Sequence, residues 1–163
     1  MQWFRFAGIV IVVMLLQAGL VDVVAIASIK FDLLLILLVF FAVYCSASDA
    51  IITSFAIGFA ADVIGSAIGP QTISFGLFGT LLACLNSIIA VRRMPYQSLV
   101  IAVVSLLSGT SALLLTFLKG QPTPPNAFLI LLGTSLYSAA VGPYLFLPLL
   151  WLTNVRTHHF YRR

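Results

Sequence analysis

Glutamate is absent from this chain of 163 residues, and four aspartates carry all of its negative charge. Charged residues make up 7% of the whole, against about 25% in an ordinary soluble domain. With 62% hydrophobic residues, too few groups are left to face water, so the chain reads as an integral membrane protein with no separate soluble domain. Cysteine is scarce too: Cys45 and Cys84 sit inside apolar runs without a C-x-x-C pair, which indicates neither a disulfide framework nor a zinc site and leaves them as small hydrophobes. The only histidines, His158 and His159, lie in a basic tail, where solvation accounts for them. A phosphate loop of the G-x-x-x-x-G-K type, a heptad pattern and an internal repeat are all missing. Hydrolysis or group transfer needs a nucleophile with a base, or carboxylates converging on a metal. This inventory offers neither, so no catalytic, cofactor-binding or metal residues are expected.

What the chain does have is long uncharged runs, at Phe6–Val21, Leu33–Ser48, Val63–Val91, Met94–Leu118 and Ala127–Val155. Several could cross a hydrocarbon core of about 30 Å as helix. Backbone polar groups in lipid must be satisfied internally, which permits helices or a closed barrel, and the runs lack a barrel's alternation. Breaks fall at Asp22–Asp32, around Asp49, at Gly65–Gln71, at Arg92–Pro95 and at Lys119–Asn126, the last rich in proline. They divide the chain into six expected transmembrane helices near 5–21, 32–47, 50–66, 71–91, 95–118 and 127–153. The fold class is therefore all-α and integral to the membrane. Gly142-Pro143 and Pro148 make the last segment a candidate for a kink.

The net charge of +4 comes from scattered residues beside the spans and forms no basic face for nucleic acid; it reads as topology. With six spans, Arg5, Arg92, Arg93, Arg156, Arg162 and Arg163 share one side, and Lys30 and Lys119 the other. That bias puts both termini in the cytoplasm. The first thirty residues also carry features of a signal peptide, with Arg5 ahead of an apolar run and Ala25-Ile26-Ala27 as a cleavage site.

One carboxylate stands out. In "SFAIGFAADVIGSAIGPQTISFG", residues 54–76, Asp62 lies in the third segment among glycine, alanine and aliphatic residues. An aspartate on a membrane helix costs roughly 2.5–3.5 kcal/mol on insertion scales, so it needs a compensating role. At helical rise it lies about 18 Å from Ala50, past the midplane on the exoplasmic side. Gly58, Asp62, Gly65 and Gly69 share one face if the helix runs that far, a stripe that lets another backbone approach closely. Gly65–Pro70 can turn the chain, and the fourth helix then starts with unpartnered N–H groups that Asp62 could accept. A proton relay would need a second titratable group deep in the bundle, and none is expected there. Asp22, Asp32 and Asp49 fall at segment ends, where solvation explains them.

The stretch "IGFAADVIGSAIGPQTISFGL" resembles the G-x-x-x-D segment and following turn of the rod-shape-determining protein MreD family, and "KFDLLLILLVFFAVY" resembles its P-D-L-L-L opening of the second helix, which singles out Asp32. Phe31 stands where the family pattern has proline. The final "SLYSAAVGPYLFLPLLWL" before a basic tail agrees as well, and the likeness covers nearly the whole chain, using the first segment as a helix and not as a signal peptide. The resemblance implies a non-enzymatic scaffold of the cell-elongation machinery in the bacterial cytoplasmic membrane. Its implied partner is the bitopic protein MreC, with MreB filaments, RodA and its transpeptidase reached indirectly, alongside membrane lipids. It also implies the six-helix fold of the substrate-binding subunits of energy-coupling-factor transporters, which supplies a rival reading as a small-molecule-binding transport subunit. Such subunits carry an alanine-x-x-x-alanine docking motif on the first helix; here Ala7 is followed by Ile11 and Ala18 by Asp22.

Overall fold

In a computed structural model that describes residues 3–23, 31–65, 69–86, 94–120 and 126–153, the chain forms six α-helices and, among those residues, no strand. They are α1 (Trp3–Val23), α2 (Leu33–Tyr44), α3 (Ala47–Ile64), α4 (Pro70–Asn86), α5 (Met94–Leu118) and α6 (Ala127–Thr153). Each expected segment therefore contains a helix, but the bounds differ. The break expected around Asp49 falls at Cys45-Ser46, where the Ser46 hydroxyl accepts from Asp49 N and caps α3, so Asp49 sits in the first turn of that helix. Of the residues that set the expected charge bias, Arg5 and Lys119 are described; Lys30, Arg92, Arg93, Arg156, Arg162 and Arg163 lie outside the described residues.

Among the described residues, three helical stretches are long and apolar enough to cross a membrane: Ala47–Ile64, Tyr96–Leu118 and Ala127–Leu149. The apolar parts of the others are shorter, and α2 is the extreme, with 12 residues or about 18 Å of rise. It packs against all five other helices, and every residue from Leu34 to Val43 is buried. A helix apolar on all sides suits a core as well as it suits lipid. Here the core prevails, because Asp32 starts the helix and Ser46 starts the next one within so few residues. Phe40 anchors the centre, with ring centroids 5.5 Å from Phe41, 5.0 Å from Tyr44 and 5.5 Å from Phe146 of α6.

Around this core α3 packs on α4 and α5 on α6 as the two most extensive helix pairs, with α1 leaning on α2 and α3. α6 runs on as helix through Pro143 and Pro148. The outward faces remain apolar: Phe4, Leu15, Phe117, Leu136 and Tyr144 are among the large side chains left exposed. So much uncovered apolar surface would drive aggregation in water, and lipid is the solvent that suits it.

Candidate functional site

α3 ends at Ile64, with Gly65 as its C-cap in extended conformation, and α4 begins at Pro70. Proline suits the first helical position because it has no N–H to leave unpaired. The next donors are met from outside the helix. Asp62 Oδ1 accepts from Gln71 N at 3.0 Å; Oδ2 accepts from Thr72 N at 2.8 Å, from Gly69 N at 2.9 Å and from the Thr72 hydroxyl. Ile73 N, the last of the first four, bonds Gly69 O at 3.1 Å. The opening turn of α4 thus has no orphan donor, and a carboxylate of the preceding helix does what an N-cap side chain ordinarily does. Asp62 is 1% exposed, and the partial positive charge of the helix end lies against it.

Glycine makes this reach possible. A Cβ on Gly58 would stand 2.8 Å from Thr72 Cα and 3.0 Å from Gln71 O, so the backbones of α3 and α4 touch there. Gly69 takes φ of +113°, a conformation that other residues rarely adopt. Gly65 is different. Its φ is −75° and a Cβ would meet only Ala61 O at 3.4 Å and Asp62 O at 3.6 Å, ordinary contacts. The four-residue stripe required the helix to run as far as Gly69, and it does not: Gly58 and Asp62 share a helical face, Gly65 stops the helix, and Gly69 lies across the turn. The backbone admitted by Gly58 is that of α4.

Two α4 glycines extend the contact and escaped the sequence reading. A Cβ on Gly76 would run into the Phe55 ring, and one on Gly79 into the Ser54 hydroxyl, so α3 and α4 interlock over most of their length. The spacing F-G-L-F-G was the available signal, a small residue every three on one helical face.

Asp32 stands at a second junction, where solvation had been the expected account. Its carboxylate Oδ1 accepts from Leu35 N at 3.1 Å and caps α2. Gln17 of α1 accepts from Leu33 N at 2.8 Å and reaches the same carboxylate oxygen at 3.5 Å, while Asp32 N donates to the Ser138 hydroxyl of α6 at 2.9 Å. Ser138 lies about three turns into α6, so Asp32 is held inside the bundle between three helices. Gln17 and Ser138 were not singled out from sequence; polar residues in apolar runs were the signal.

No three His, Cys, Asp or Glu side chains approach one another as metal ligands among the described residues. His158 and His159 lie outside them. The arrangement of Asp62 and Asp32 is one of helix joints: each carboxylate is committed to backbone donors at the start of a helix.

The model of the rod shape-determining protein MreD family matches residues 1–155. The chain belongs to the MreD family. Nearly the whole sequence is covered, so the joint at Asp62 and the joint at Asp32 both lie within the MreD match. Membership makes this a membrane protein of rod-shape determination, in keeping with its apolar helices. No curated protein and no solved structure matches the chain.

Proposed function

We propose that the protein is a non-enzymatic scaffold of the bacterial elongation machinery, crossing the cytoplasmic membrane six times with both termini inside. It binds the single membrane helix of MreC and so couples MreB filaments to the peptidoglycan polymerase RodA and its transpeptidase. The observation that carries this reading is the family match over residues 1–155. The geometry is compatible with it, since the buried carboxylates act as joints that stiffen a helical bundle, and a rigid apolar exterior is what a partner helix can dock on.

The test is crosslinking in native membranes followed by mass spectrometry, paired with a clean deletion. Capture of one bitopic protein, with deleted cells turning round, is the expected result. Normal shape and wall synthesis in the deletion would overturn the reading, and capture of an ATPase module would favour the transport subunit instead.

A further inference from the structure

Because α2 begins inside the bundle, the space beyond its first turn is not filled by helix. A cavity of about 660 Å³ lies there, bounded by the starts of α2, α4 and α6 and by the second half of α5. That size is in the range of small-molecule sites. Its walls are largely apolar, with Phe75, Leu113, Ile130 and Leu131 among them. Asp32 is the ionisable residue among its described lining residues, and the Lys119 ammonium stands outside that lining, beside Gly69.

Two of the lining hydroxyls favour hydrogen-bond donors. The Ser108 and Thr116 hydroxyls give their protons to carbonyls of α5, Ser105 O at 3.4 Å and Ala112 O at 2.8 Å, which leaves lone pairs as what they can offer a ligand. A carboxylate has about four acceptor positions, and that of Asp32 accepts from the Gln17 amide and from the backbone N–H groups of Leu34 and Leu35, Gln17 and Leu35 both meeting Oδ1. The N–H groups of α2 and α4 nearest the cavity are engaged by Asp32, Gln17 and Asp62, so they are not at hand for an anion. An anionic head group at the start of α2 would instead meet a carboxylate.

We propose that this cavity binds a small organic amine, its protonated nitrogen set against Asp32 and its apolar body held between Phe75, Leu113 and Leu131. The site is independent of partner binding. Occupancy bears on the bundle all the same, because Asp32 also ties α1 to α2 through Gln17 and α2 to α6 through Ser138.

The experiment uses the full chain in lipid nanodiscs, with Cys45→Ala, Cys84→Ala and a reporter thiol, Thr134→Cys, on the cavity wall. Its reaction with a trimethylammonium methanethiosulfonate is compared with that of the sulfonate analogue, each divided by the reagent's rate with a free thiol in water. The cation should be favoured about tenfold, the size of effect a charged cleft produces, and Asp32→Asn, which still caps α2, should bring the ratio near one. Adamantylmethylamine should slow the labelling saturably, while adamantylmethanol and adamantane carboxylate should not. A ratio near one in the parent, an unlabelled reporter, an unchanged ratio in Asp32→Asn, or equal protection by the alcohol each overturns the proposal; the last would mean that a lipid tail fills the space. If Asp32→Asn fails to accumulate, the contrast between the three adamantyl probes on the parent decides.

Discussion

Asp62 accepts unequally through its two oxygens: Oδ2 takes Gly69 N, Thr72 N and the Thr72 hydroxyl, and Oδ1 takes Gln71 N alone. An asparagine with its carbonyl at the Oδ2 position keeps three of these bonds and turns its amide group on Gln71 N. Asp62→Asn should therefore cost only about 1–3 kcal/mol, the value of one lost buried partner, and retain shape complementation at matched protein level. Asp62→Leu strands all the donors, and its purified protein should melt well below both in detergent while accumulating poorly in cells. Complete loss of function in Asp62→Asn with normal stability would instead assign the residue a role that depends on ionisation. Much of this joint was legible in the sequence, because a lone charge in an apolar run has few ways to be compensated and a Gly-Pro turn puts helix donors nearby. Asp32 was not legible in the same way. Its depth depends on Gln17 and Ser138, which lie far from it in sequence, and only packing brings them together.

At the scale of helices, the glycines of the α3–α4 pair divide by what stands opposite them. Gly58→Ala would press a methyl group against the Thr72 backbone, which cannot swing away as a side chain can. Gly65→Ala meets ordinary contacts at an unstrained φ. The expected outcome is a lowered melting temperature for Gly58→Ala and little change for Gly65→Ala, read on purified protein by thermal unfolding. Equal effects would mean that α3 and α4 do not touch as described. Sequence spacing placed both glycines on one stripe only if the helix ran that far; it marked a break over Gly65–Gln71 but not the residue within it at which the helix stops, because a glycine in an apolar run is compatible with continuing or ending. The same ambiguity hid the nature of α2. Its run of leucine and phenylalanine marks a helix apolar on every side, and whether protein or lipid surrounds it is set by the other five helices.

At the scale of the whole molecule, the enclosure of α2 bears on how many times the chain crosses the bilayer. If α2, about 18 Å long, carries the chain across with its flanking residues, there are six crossings and the termini share a side. If α2 does not complete a crossing, there are five, and Arg5 lies opposite the basic tail of Arg156, Arg162 and Arg163. Charge favours the first arrangement, since positive residues near span ends collect in the cytoplasm. A bilayer can thin locally around a short lipid-facing element, and α2, shielded from lipid by its neighbours, meets little lipid with which to be mismatched. An epitope ahead of Trp3 and a reporter after Arg163 should accordingly both register as cytoplasmic, and a reporter placed within residues 121–126 as exoplasmic. Protease access to the first epitope from outside spheroplasts, with the C-terminal reporter still inside, would establish five crossings and leave α2 as a core helix that enters the bundle and returns.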